Sequence, residues 1–140
     1  REIFNNPFYL TYADALSDID LNNLSKMHSE SGNVLTITGV SPKVNFGVLH
    51  YSTENQIIRF EEKPVLRNII VSGGFFVCDP AIYNYIPWPC SEDKSFEIDV
   101  IPQIVNDNKC GIYIHNGFWK CLDTQKDYEE LREVYECTNH

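Results

Sequence analysis

The chain has 140 residues, a net charge of −9, and 43% hydrophobic and 13% aromatic residues. This length fits one domain, residues 1–140, with enough chain to bury a core, and the aromatic content argues against disorder. The acidic balance argues against nucleic acid, which needs a basic footprint, but leaves room for a phosphorylated ligand held by a few placed cations and a metal.

In chain order, Pro7–Tyr12 is predicted as a buried strand, rich in aromatic and β-branched residues. Asp14–Asp18 is predicted as a loop. Asp20 caps a predicted helix, Leu21–Ser31, with Leu21, Leu24 and His28 on one face and Gly32 at its end. Val34–Val40 and Gly47–Ser52 read as strands, with a loop at Ser41–Asn45 between them. Thr53–Gln56 reads as a turn, and Ile57–Phe60 as a short strand. Ile69–Cys78 is the longest strand signal. Its Ser72-Gly73-Gly74 interruption suggests a bulge or a close backbone approach to a ligand.

Asp79-Pro80 starts a predicted helix to Ile86. Ser95 caps the next one, with Phe96, Val100, Ile101, Ile104 and Val105 on one face and a bend at Pro102. His115-Asn116-Gly117-Phe118 predicts a tight hairpin through a type I′ turn, with Phe118–Leu122 as its second strand. Thr124 caps the last helix, in which Tyr128, Leu131, Val134 and Tyr135 face inward. Strands alternating with helices, followed by hairpins, predict an α/β fold with a mixed sheet.

The cysteines, Cys78, Cys90, Cys110, Cys121 and Cys137, are odd in number and form no CxxC pair. They read as reduced thiols of a soluble, cytoplasmic protein. No apolar run approaches the roughly 20 residues of a membrane helix. The opening Arg1-Glu2, without methionine, reads as a processed product or an excised fragment.

Asp123 follows a strand and precedes a helix cap, and Asp14 follows another strand. Each alone is a common turn or cap residue. Together at two strand ends they suggest a shared hard cation, which takes one or two carboxylates and completes its shell with phosphate oxygens and water. Lys63 lies between Glu62 and Pro64. It suits a phosphate, and Glu62 suits sugar hydroxyls, although a solvated turn is the ordinary reading. Phe46-Gly47 and Ser72-Gly73-Gly74 let backbone amides approach a ligand, or form bulges. Trp119 reads as core or as a sugar-stacking platform. His28 and His115 read as structural, and His50 as a strand residue without an evident partner. No Ser-His-Asp arrangement and no histidine metal spacing is present.

Five segments carry a resemblance. They are Tyr12-Ala13-Asp14-Ala15-Leu16-Ser17-Asp18, Phe46-Gly47, Phe60-Glu61-Glu62-Lys63-Pro64, Gly73-Gly74-Phe75-Phe76-Val77, and His115-Asn116-Gly117-Phe118-Trp119 with Asp123-Thr124. From Phe8 to Tyr135 the chain resembles the C-terminal half to two-thirds of the sugar-1-phosphate nucleotidylyltransferases. The last segment is similar to the glucose-1-phosphate cytidylyltransferase subgroup. The resemblance implies a Rossmann-like nucleotidyltransferase sheet flanked by helices and truncated at its N-terminus. It implies transfer of a cytidylyl group from CTP to glucose 1-phosphate, giving CDP-glucose and pyrophosphate with Mg²⁺.

Residue by residue, the resemblance makes Asp14 and Asp123 metal ligands, Lys63 the sugar-phosphate contact and Glu62 the sugar contact. Gly47 and Gly74 line the sugar pocket, Ser72 takes the place of a usual Asn, and Trp119 lies beside the pocket. Ala13 and Ala15 stand where the family usually has Gly. Each alanine disfavours positive φ, which bears on the loop around Asp14. The family's Gly-rich loop and following Pro-Lys segment have no match in residues 1–140. The chain alone is therefore expected to be weak or inactive and to self-associate or work with a complementing chain. The alternative is a non-catalytic sugar-phosphate or nucleotide-sugar binding module.

Overall fold

The computed structural model describes residues 4–87 and 93–138, with side chains described up to residue 133. Its centre is a four-stranded sheet, ordered β1-β6-β3-β7, from Phe8–Thr11 (β1), Leu35–Val40 (β3), Val71–Cys78 (β6) and Cys110–His115 (β7). β6 runs antiparallel to β1 and β3, while β3 and β7 are parallel, so the sheet is mixed as expected. Two small ribbons stand outside it. Ala15–Ser17 (β2) pairs with Trp119–Cys121 (β8), and Val48–Tyr51 (β4) pairs with Ile57–Glu61 (β5).

The first helix, α1, spans Leu21–Ser31 as predicted. The Asp20 carboxylate accepts from the Asn23 amide at 3.0 Å, and Gly32 closes the helix in the left-handed conformation. Leu24 and His28 are buried, but Leu21 is exposed, so the inward stripe is narrower than predicted. α1 packs on the sheet face that carries Thr36, whose Oγ1 lies 2.8 Å from His28 Nδ1. The opposite face holds the main core, where Leu35, Phe76 and Cys78 meet Ile82, Val100 and Ile104.

Desolvation lowers the His28 pKa below its ordinary value near 6.5, partly opposed by Asp79. The unfolded chain therefore binds the proton more readily. The His28 contribution is full above the unfolded pKa and is lost as pH falls through it toward the folded value. Unfolding free energy measured by urea titration is expected to drop as pH falls below about 6.5, and His28→Gln should flatten that slope. A slope unchanged by the substitution would contradict this assignment.

Several predictions are corrected. The segment starting at Asp79 is a 3₁₀ turn, Pro80–Asn84, with the Asp79 carboxylate accepting from the Ala81 amide. The single helix expected after Ser95 splits into a π-helical turn, Phe96–Val100, and α2, Ile101–Asn106. Pro102 has no amide to donate to the Ile98 carbonyl, so the ladder widens just before it. Val105 is exposed, and Ser95 makes no side-chain cap to the backbone. The last helix, α3, spans Gln125–Thr138. The Thr124 hydroxyl accepts from the Asp127 amide while the Asp127 carboxylate accepts from the Thr124 amide, a reciprocal cap. Leu131 is buried but Tyr128 is exposed, and the side chains of Val134 and Tyr135 lie outside the described residues.

The largest correction concerns the hairpin. β7 and β8 do not pair with each other: β7 lies parallel to β3, and β8 pairs with β2. Neither Asn116 nor Gly117 adopts positive φ, so no type I′ turn forms. Gly117 instead leaves room for its neighbours: a Cβ there would lie 2.7 Å from His115 Cε1 and against the Asp18 carboxylate, so those side chains would have to shift. His115 Nε2 lies 2.9 Å from Asp18 Oδ1 and 3.1 Å from the Phe118 carbonyl, which pins the turn. Both neighbours accept, so the proton belongs on Nε2. The predicted Asp14–Asp18 loop correspondingly contains β2. Among the described residues, no helix is long and apolar enough to cross a membrane.

Candidate active site

The β2–β8 ribbon creates the site. The Tyr12 amide donates to the Gly74 carbonyl at 3.0 Å, keeping the chain on the sheet beyond β1. The chain then turns at Ala13–Asp14 and enters β2, where Ala15 pairs with Cys121 and the Leu122 amide donates to the Asp14 carbonyl at 2.7 Å. Neither Ala13 nor Ala15 has positive φ, so the alanines fit this turn without strain. The antiparallel register thus brings Asp14 to Asp123. Carboxylate oxygens of both and the Cys121 Sγ lie within 4.8 Å of one another.

The Cys121 thiol donates to Asp123 Oδ1 at 3.3 Å. Burial, and then the neighbouring Asp123 and Asp14, push its pKa up to about 11, so it is neutral at physiological pH. Two exposed carboxylates beside a neutral thiol offer hard oxygen donors. That donor set fits a Mg²⁺-class cation, which keeps part of its shell for substrate and water.

Beside Asp123 an open cleft of about 730 Å³ is lined by Lys63, Trp119 and Lys120, with Lys43, Lys126 and Asp127 among the others. Trp119 Nε1 donates to the Gly73 carbonyl at 2.8 Å, which holds the ring against the cleft wall. Lys63 has φ of 47°, rare for a non-glycine residue and disfavoured before proline. The segment therefore holds Lys63 in a conformation it would not choose alone. Its Nζ lies 3.7 Å from Glu62 Oε1, a solvent-exposed pair worth little stability.

The other expected site residues lie around this cleft rather than in its lining. Gly47 faces the Phe60 ring and the Glu62 carboxylate, where β4 and β5 meet. Gly74 has φ of +75°, and a Cβ there would lie 3.3 Å from the Tyr12 ring. It sits in the bulge expected at the paired glycines, where the β3–β6 register shifts between Ile37 and Gly39. Ser72 Oγ accepts weakly from the Gly74 amide at 3.4 Å.

The sequence reading missed several partners here. The Tyr12 hydroxyl donates to the Glu97 carboxylate. Bonds from Tyr12 and then Ser95 hold Glu97 below the usual carboxylate range. Desolvation, and then Glu97, raise the Tyr12 pKa. Lys120 pairs with Glu130 and, at 3.7 Å, with Asp127. His50, without an evident partner in sequence, lies 2.8 Å from Glu61 Oε1. Tyr12 lies two residues before Asp14 in sequence, but no local pattern points to Glu97.

Fold and site together define a class: a mixed α/β sheet that gathers two carboxylates, a strained lysine and a tryptophan beyond its strand ends. Residues 3–137 match the family described as nucleotidyl transferase. The probable glucose-1-phosphate cytidylyltransferase of Bacillus subtilis (strain 168) is 30% identical over 133 residues, 95% of this chain and 51% of that protein. The mannose-1-phosphate guanyltransferase of Schizosaccharomyces pombe is 29% identical over 130 residues, 89% of this chain and 35% of that protein. Among solved structures, HddC from Yersinia pseudotuberculosis shares the fold with a TM-score of 0.60 at 18% identity, covering 93% of this chain and 56% of that one. The chain belongs to the nucleotidyl transferase family. It spans about half the length of the B. subtilis relative.

Proposed function

We propose that this chain supplies the sugar-phosphate and metal-binding part of a glucose-1-phosphate cytidylyltransferase. The observation that carries the reading is the convergence of Asp14 and Asp123 across the β2–β8 ribbon, at the mouth of the Lys63–Trp119 cleft. In the proposed reaction a phosphate oxygen of glucose 1-phosphate attacks the α-phosphorus of CTP. The bond to the β-phosphate breaks, and CDP-glucose and pyrophosphate leave. Asp14 and Asp123 hold Mg²⁺, and when bound the cation neutralises charge on the phosphate oxygens. Lys63 draws the sugar phosphate by its charge, and Glu62 accepts from sugar hydroxyls beside Gly47 and Gly74. Trp119 forms the wall, and Ser72 holds the glycine bulge behind it. Such chemistry rests on positioning and charge neutralisation rather than on an activated nucleophile, which agrees with the side chains present.

The proposal includes a cytoplasmic setting, where the free thiols of Cys78, Cys110 and Cys121 stay reduced. It also includes self-association or a complementing chain. Leu49, Tyr51, Ile57, Ile58 and Phe60 are all exposed on the β4–β5 ribbon, an apolar area that favours a covering partner.

The test is pyrophosphate release by the protein with Mg²⁺ and glucose 1-phosphate, comparing CTP with UTP, GTP and dTTP. Preference for CTP is expected. Equal use of all four would overturn the cytidylyl reading. Ligand binding without turnover would favour the non-catalytic binding module.

A further inference from the structure

Beyond the Asp123 cleft, Ser41–Asn45 and Pro64–Arg67 are zipped together. Lys43 bridges Val65 in antiparallel fashion, the Leu66 amide donates to the Pro42 carbonyl at 2.9 Å, and the Val44 amide donates to the Pro64 carbonyl at 3.2 Å. In that register Ser41 falls opposite Arg67. Side chains two residues apart share a face, so Lys43, Val65, Ser41 and Arg67 point the same way. All four line a second cleft of about 650 Å³. Its apolar lining includes Ile70 and Ile114, and Phe118 and Trp119 form a wall shared with the first cleft. Lys43 lines both clefts.

Among the described residues, neither the Lys43 ammonium nor the Arg67 guanidinium has a side-chain hydrogen bond or ion pair. In a chain of net charge −9, carboxylates are plentiful. Two cations fixed on one face by the backbone, both lining the same cleft over an apolar and aromatic surface, can converge on one anion. A guanidinium matches phosphate oxygens in paired hydrogen bonds, and a neighbouring ammonium adds a point charge.

We infer that Lys43 and Arg67 form a second phosphate-binding subsite, which takes the phosphoryl group of a small molecule without help from Asp14 or Asp123. It goes beyond the nucleotidyl-transfer reading and does not depend on it. Its ligand is either a bare polyphosphate such as pyrophosphate or a nucleoside phosphate whose base lies along Trp119 and Phe118.

The test is calorimetric binding of pyrophosphate and of cytidine monophosphate to the chain in EDTA, so that no divalent cation takes part. Wild-type protein is expected to bind. Arg67→Gln and Lys43→Gln should each weaken binding about tenfold, the scale of a lost charge-assisted hydrogen bond, and Asp123→Asn should leave it unchanged. Both cations are exposed, so thermal melting should show the variants folded. Tighter binding of the mononucleotide, reduced by Phe118→Ala, identifies the nucleoside phosphate; tighter binding of pyrophosphate identifies the bare polyphosphate. No binding in EDTA, or binding indifferent to both cation substitutions, would overturn the subsite whatever the turnover assay shows.

Discussion

Asp123→Asn is expected to lower pyrophosphate release by a factor on the order of 10²–10³, the scale seen when one preorganised electrostatic group is removed from a reacting phosphate or oxyanion. Asparagine keeps the shape but loses the charge, so the pair with Asp14 no longer presents two anionic donors. The fold should survive. Asp123 is exposed, and its described side-chain bond is the one it accepts from the Cys121 thiol. Unfolding free energies should agree with wild type to within about 0.5 kcal/mol, as for most exposed substitutions. Steady-state turnover of the variant against wild type checks the first expectation, and urea titration the second. Loss of turnover together with loss of stability would mean that Asp123 acts through the fold, contrary to the proposal.

Phe76→Ala is expected to destabilise the chain by about 3–5 kcal/mol, the range for deleting a buried aromatic ring. Phe76 is 1% exposed, and its ring meets Tyr12 at 5.3 Å and Phe96 at 5.8 Å between centroids, both edge-on. It therefore joins β6 to the turn entering the site and to the π-helical turn. Alanine would leave a void that three separate elements would have to fill together. The urea midpoint should fall with the slope unchanged, the mark of lost stability rather than a changed unfolded state. A loss below about 1 kcal/mol would show that these elements collapse onto the void, as some core sites can.

The contrast between α1 and the β7–β8 segment shows what local chemistry can reveal. Asp20 and Gly32 bound α1 because capping acts within one turn of chain. The cap at Thr124 is legible for the same reason. The turn at Asn116-Gly117 was also a local signal, but strand partners are chosen by distant chain. β7 gains more beside β3, where all six of its residues pair, than beside a three-residue β8. In sequence β2 reads as a loop because three residues carry no periodicity; β8 makes it a strand.

The site divides in the same way. Asp14, Lys63 and Asp123 were recognisable from their neighbours in sequence, yet the closeness of Asp14 and Asp123 depends on a register that no local pattern encodes. Tyr12 and Glu97, and Lys43 and Arg67, were invisible as pairs for that reason. Lys43 and Arg67 face the same way only because a single bridge joins two segments that each read as loop.

The central claim is that Asp14 and Asp123 share one divalent cation. Mn²⁺ binding followed by electron paramagnetic resonance tests it without requiring turnover. The free-ion signal should fall on titration of Mn²⁺ into wild-type protein with glucose 1-phosphate, and either Asp14→Asn or Asp123→Asn should restore most of it. Mn²⁺ uptake that both substitutions leave unchanged would contradict the account.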